Sequence, residues 1–273
     1  MDTTAVSRPV GSRVRSFLTW QRLPARDIRI IHPARETRIA LAFALAYIAV
    51  AFVTGWVQRA WPMPLWGATS LTSDATYKLG FKIGLLLVVP ALAIRRAGYG
   101  MDDLLLGWRP TPRSVLLLVA AFAAGFFVNA SKLDPIREAV DALPPGEAAL
   151  RVGLGCILML FSAGLPEEIV YRWGLQTRLE RAWGRLAAIV VTAILFTAWH
   201  IPPRFFNAEG AEGTAGDLGS VLLGTGLPVL VVALLFGWAW DRWRNLPALV
   251  LIHWGVDTLP SVASFLQLPF GSH

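Results

Sequence analysis

The stretch "GLGCILMLFSAGLPEEIVYRWGLQTRLERAWGR", residues 153–185, decides how the chain is read. Its first twelve residues, 153–164, carry no charge and belong in lipid, yet Glu167 and Glu168 follow almost at once and Arg172 stands four residues beyond the second glutamate. An ionisable side chain within a membrane span costs roughly 2.5–3.5 kcal/mol even on the lenient insertion scale. Carboxylates at that place need a structural or chemical reason.

The rest of the chain has the same apolar character. Of its 273 residues 55% are hydrophobic and only 16% are charged, which is far from the balance of a soluble domain. A transmembrane helix needs roughly 20 residues to cross about 30 Å of hydrocarbon. Seven runs approach that length, at about 39–57, 79–95, 114–130, 150–177, 185–200, 219–240 and 246–268. The expected fold is therefore all-α, a polytopic transmembrane helical bundle of about seven spans. It is organised as a basic leader over residues 1–38 and a membrane domain over 39–268.

The formal charge of +7 does not point to nucleic acid, because the basic residues sort by loop. With the N-terminus in the cytoplasm, 17 Lys and Arg fall inside, eight of them in the leader, against seven outside (Arg59, Lys78, Lys82, Lys132, Arg137, Arg151 and Arg204), with Arg172 left within the fourth span. The positive-inside rule thus places the N-terminus in the cytoplasm and the C-terminus outside. The first apolar run begins near residue 39 behind the leader and is long enough to stay as an anchor. Trp61, Trp66, Trp108, Trp183, Trp240 and Trp243 cluster near span ends, as interfacial anchors do. Cys156, the single cysteine, lies inside an apolar run and reads as a small buried hydrophobe. Residues 131–149 suit a short amphipathic helix that stops at Pro144 and Pro145.

The ionisable residues taken as intramembrane are Glu167, Glu168, Arg172, His200, His253 and Asp257, in spans four, five and seven. Glu168 and Arg172 stand at i and i+4 and can pair on one helix face. That leaves Glu167 without an obvious partner, because neighbours point about 100° apart on a helix, and makes it the better candidate base. His200 precedes Pro202 and Pro203, which are expected to end its helix close by. His253 and Asp257 share a face at i and i+4, an arrangement in which a carboxylate can fix the tautomer of an imidazole. At a rise of about 1.5 Å per residue the three helices can bring these groups together only mid-bilayer, and His200 fits that depth least easily.

Taken together and in order, Glu167-Glu168-xxx-Arg172, Phe196-xxx-His200 and His253-xxx-Asp257 resemble the CAAX prenyl protease and bacteriocin-processing (CPBP, or ABI) family of intramembrane proteases. The resemblance covers about residues 150–265. It implies an endopeptidase acting on a membrane-associated or lipidated peptide or protein. In that family Glu167 would activate water with help from His200, His253 and Asp257 would face the scissile carbonyl, and Arg172 would hold Glu168. The family pattern often has asparagine where this chain has Asp257, and an ionised aspartate would repel an oxyanion. Asp257 must then be protonated, orient His253 or bind a metal. Glu167, His200, His253 and Asp257 would be the ligands of a Zn²⁺ ion if one is used. A metal-free, glutamate-dependent hydrolysis is favoured, since no HExxH helix is present.

Serine and aspartyl intramembrane proteases fit worse. "LGSVL" around Ser220 lacks a glycine after the serine, and "TAGD" at 214–217 only half resembles the aspartyl motif. A proton-coupled transporter is the alternative from another class, with "GTGLPVL" as a discontinuous sixth span, but the chain shows no related halves. An inactive immunity or scaffold protein on the same fold is a third reading.

Overall fold

The computed structural model describes residues 28–60, 75, 77–106, 108 and 111–268. Most of the leader, Trp61, Trp66, Arg109 and His273 lie outside the described residues. Those described are almost entirely helical and include no strand. In chain order the helices are α1 (Pro33–Ala60), α2 (Tyr77–Val88, π-helical, running on as Val89–Arg96), α3 (Met101–Leu105), α4 (Pro112–Val128), α5 (Leu133–Asp141), α6 (Pro145–Trp183), α7 (Arg185–Asn207), α8 (Leu218–Trp243) and α9 (Leu246–Gln267).

Local chemistry sets several boundaries. Thr111 caps α4, accepting from the Ser114 amide at 3.1 Å, with Pro112 at the first helical position where its missing N–H costs nothing. Asn245 caps α9 in the same way through the Ala248 amide at 2.9 Å. Gly184, at φ +85°, supplies the left-handed residue that parts α6 from α7. The short helix expected in 131–149 is α5, which ends at Asp141 ahead of the Pro144–Pro145 pair.

Five helices, α1, α6, α7, α8 and α9, are long and apolar enough to cross a membrane, and a sixth span results if α4 and the following Ala130–Asp141 segment, bent by 64°, count as one. The expected span at 79–95 is helical as part of α2 but is not among these; α2 as a whole carries Lys78, Lys82, Arg95 and Arg96. Exposed leucine, valine and phenylalanine side chains on α1, α4, α7 and α8 form the lipid-facing surface of this integral membrane protein.

α9 is the central helix, with 56% of its apolar window buried against 22–39% for the other four. Close approach of backbones puts it there. A Cβ on Gly125 of α4 would fall 2.2 Å from the Ile252 carbonyl oxygen, and one on Gly255 of α9 would fall 2.3 Å from that of Phe122. Without a hydrophobic drive between helices in lipid, such small-residue contacts are what let two helices lie in van der Waals contact.

The expectation that Pro202 and Pro203 end the fifth span is corrected: α7 continues to Asn207 with both prolines inside it. Tertiary packing carries the helix past the two missing N–H donors. Gly55 of α1 presses on Pro203 and Phe206, Phe52 meets Phe206 edge to face at 5.1 Å, and the Asn207 amide donates to the Gly55 carbonyl at 3.3 Å.

The 39-residue α6 is also irregular where it matters. Two π-helical stretches, Leu160–Gly164 and Glu168–Gln176, flank Leu165–Glu167. Pro166 has no N–H for the preceding turn and its ring crowds the carbonyl four residues back, so a widened turn just before it relieves both problems. The second stretch is held by side chains that reach back five residues, Thr177 Oγ1 to the Arg172 carbonyl at 3.0 Å and an Arg178 guanidinium nitrogen to that of Trp173 at 2.6 Å.

Candidate active site

Glu167 and Glu168 lie at the junction between the two π stretches of α6, and both are buried, as is Arg172. Arg172 Nε donates to Glu168 Oε2 at 3.3 Å. Its two terminal nitrogens have no hydrogen-bond partner among the described residues. The guanidinium lies over the Phe196 ring at 5.3 Å and the Phe236 ring at 6.0 Å. Gly237 of α8 packs close by, where a Cβ would crowd the Ile189 and Gln176 side chains at 3.2 and 3.3 Å.

Glu168 has a second partner that helical spacing does not reveal. Its Oε1 accepts from His253 Nδ1 at 2.8 Å, so one carboxylate ties Arg172 on its own helix to His253 on α9. The other edge of the same imidazole faces the remaining carboxylates. His253 Nε2 is 3.2 Å from Asp257 Oδ2 and 3.6 Å from Glu167 Oε2. The adjacent glutamates thus straddle one ring, one at each nitrogen, which is possible because the two nitrogens open to different sides. With Nδ1–H given to Glu168, Nε2 and two carboxylate oxygens crowd together, and at least one proton must lie between them.

His200 reaches the site from α7. Its Nδ1 is 2.8 Å from the Phe196 carbonyl oxygen. A carbonyl can only accept, so Nδ1 carries the hydrogen, and in the neutral ring Nε2 keeps a lone pair. Phe196 is the common wall of the two histidines, its ring 4.5 Å from that of His200 and 6.4 Å from that of His253. The six sequence-predicted residues are therefore brought to one place. Glu167, Arg172, His200, His253 and Asp257 line a single cavity of about 650 Å³, and Glu168 stands directly behind His253.

Sequence reasoning passed over Lys82. It was assigned to an outer loop, yet α2 carries it into the lining of this cavity, with its ammonium 5.7 Å from the centre of the Trp199 ring. A signal was present, since Lys82 falls inside the apolar run 79–95 just as Glu167 falls inside 150–177. Asn129 is a second addition; it lines the cavity and donates to the Val256 carbonyl at 2.7 Å, one residue from Asp257.

Among the described residues no three His, Cys, Asp or Glu side chains are grouped so as to hold a metal ion. In this arrangement the set Glu167, His200, His253 and Asp257 does not fit a zinc site. Both His253 nitrogens are turned to carboxylates rather than to a shared open point.

Residues 150–259 match the protein-family model described as "Type II CAAX prenyl endopeptidase Rce1-like". The match agrees with the family that the three motifs resemble, and it contains all six polar residues, whereas Lys82 and Asn129 lie before it. No curated protein and no solved structure matches the chain.

Proposed function

We propose that this membrane domain, whose Rce1-like segment holds Glu167, Glu168, Arg172, His200, His253 and Asp257, is an intramembrane endopeptidase. Its substrate class is a membrane-associated peptide or protein, and the family description favours one with a prenylated CAAX-type C-terminus. The observation that carries the reading is the convergence of Glu167, Glu168 and Asp257 on the two nitrogens of His253 inside one buried cavity that His200 also lines.

In the proposed mechanism Glu167 takes a proton from a water as that water attacks the scissile carbonyl carbon. Its Oε2 is buried and has no hydrogen-bond partner among the described residues, which leaves it able to accept one. His200 Nε2, with its lone pair facing away from the Phe196 carbonyl, accepts the second hydrogen of the water and orients it. His253 is fixed by Glu168 at Nδ1 and presents Nε2 to the developing oxyanion, donating the hydrogen it shares with Asp257. The proton on Glu167 then passes to the leaving nitrogen as the C–N bond breaks. Arg172 acts on Glu168 and so on the position of His253. No step needs a metal. The charge distribution supports an N-terminus in the cytoplasm.

The test is cleavage of a prenylated, membrane-tethered peptide by detergent-purified protein. Glu167→Gln is expected to lower kcat by about 10²–10⁴-fold with the protein still folded, and Cys156→Ala to leave it unchanged. Full activity in Glu167→Gln would sink the mechanism; absence of any cleavage by the unaltered protein would favour an inactive member of the fold.

A further inference from the structure

We infer that Lys82 is the specificity-determining residue of the cavity and pairs with the free C-terminal carboxylate of the bound peptide. This rests on the endopeptidase reading and names the end of the substrate that the cavity holds.

Among the described residues, the charged groups facing the cavity can be followed one by one. On α6 Arg172 is paired through Nε with Glu168 and its guanidinium lies over the Phe196 and Phe236 rings, and Glu167 stands near His253. On α9 Asp257 is paired with His253. On α7 Arg204 lies 3.7 Å from Glu212, which also lines the cavity. Two cations of α2 complete the set among the described residues. Lys78 sits over the Phe265 ring at 4.4 Å and has further interactions. Lys82 has no carboxylate within ion-pair distance among the described residues; its contact is the face of Trp199, the residue next to His200.

A half-buried ammonium that Glu167 and Asp257 attract only from beyond ion-pair distance is incompletely compensated, and an incoming anion offsets that cost. Position and charge narrow that anion. Lys82 shares the cavity with the proposed base, so an anion on it belongs to the same ligand that places a peptide bond at Glu167. Two carboxylates, Glu167 and Asp257, already line the cavity and disfavour a dianion such as a phosphate monoester. One ammonium matches one monoanionic carboxylate, and every peptide held by its C-terminal end carries one. A cavity of about 650 Å³ also has room for a few residues and not for a folded domain. Tyr47, Val50, Leu86, Met159 and Phe236 line it as well, which suits apolar residues just before that carboxylate.

The experiment uses full-length Glu167→Gln protein in lipid nanodiscs, which binds without turnover. The ligand is one lipid-tethered peptide ending in three apolar residues, made as the free acid and as the C-terminal carboxamide. The acid is expected to bind at least about tenfold more tightly than the carboxamide. Adding Lys82→Met should bring the two affinities together at the carboxamide's level, while Lys82→Arg should keep the preference. Equal binding of acid and carboxamide before Lys82 is touched would overturn the inference, and that comparison needs no Lys82 variant to fold. Loss of both affinities in equal measure on Lys82→Met would also overturn it, since Lys82 would then only balance Glu167 and Asp257. A carboxylate preference in binding by a protein that cleaves nothing would remove the endopeptidase reading and leave this one standing.

Discussion

Substituting Glu168 and Glu167 separately asks the sharpest question of this site, because the two adjacent glutamates should respond in opposite ways. Glu168 is fully buried and accepts from both Arg172 Nε and His253 Nδ1. Glu168→Met removes both contacts at once and leaves an equally buried guanidinium, whose terminal nitrogens already have no hydrogen-bond partner among the described residues, without the carboxylate it was paired with. Breaking one side of a buried ion pair costs about 3–5 kcal/mol. At about 2–4 °C per kcal/mol for a chain near this size, the thermal midpoint in detergent should fall by about 6–20 °C. Glu168→Met with Arg172→Met replaces the pair by apolar volume and should recover most of that loss, a non-additivity of at least about 2 kcal/mol. Glu167→Met removes a carboxylate whose Oε2 makes no hydrogen bond among the described residues, so its midpoint should stay within about 3 °C or rise. The assay is fluorescence-detected unfolding of each purified variant at one detergent concentration. Additive losses in the double variant, or a fall for Glu167→Met as large as that for Glu168→Met, would refute the division of labour between the two.

Two further outcomes are expected. Gly125→Ala or Gly255→Ala should each lower stability by about 2 kcal/mol or more, since the new methyl meets a backbone carbonyl at 2.2 or 2.3 Å, whereas Gly153→Ala on α6, with nothing within 4 Å, should be neutral or stabilising by about 0.5–1 kcal/mol; thermal midpoints in detergent measure all three. Dialysis against a zinc chelator should leave kcat for the tethered peptide within about twofold, because no metal-holding cluster forms among the described residues, and a loss that added Zn²⁺ restores would reverse that conclusion.

The polar site was legible in sequence because lipid makes it so. A carboxylate or imidazole in an apolar run is costly enough to stand out, and Glu167, Glu168, Arg172, His200, His253 and Asp257 all did. The pairings were only half legible. Glu168 with Arg172 and His253 with Asp257 follow from i, i+4 spacing, but the bond from Glu168 to His253 spans 85 residues and no local pattern contains it. The path of α7 is not legible locally, because Pro202 and Pro203 are helix breakers and it takes packing by Gly55, Phe52 and Phe206 to hold the helix together. Lys82 was missed for a different reason. At the fourth position of its apolar run, a lysine reads equally well as a loop charge at the span end, so the sequence alone does not separate the two.

The aspartate at 257 changes meaning once the distances are known. As an isolated carboxylate near a developing oxyanion it would oppose the reaction. At 3.2 Å from His253 Nε2 it forms a pair with that ring, and the relevant charge is that of the pair and not of Asp257 alone. With Glu168 fixing Nδ1–H on the far side, a proton on Nε2 gives an imidazolium flanked by carboxylates, and the face it turns to the cavity carries an N–H. An amide at position 257 could donate a hydrogen bond by itself, whereas an aspartate can serve only through a protonated His253. The network from Arg172 through Glu168 to His253 is therefore more than a clasp in the proposed mechanism. By holding a carboxylate against Nδ1, it sets the ring so that Nε2 faces Asp257 and the cavity, as that mechanism requires.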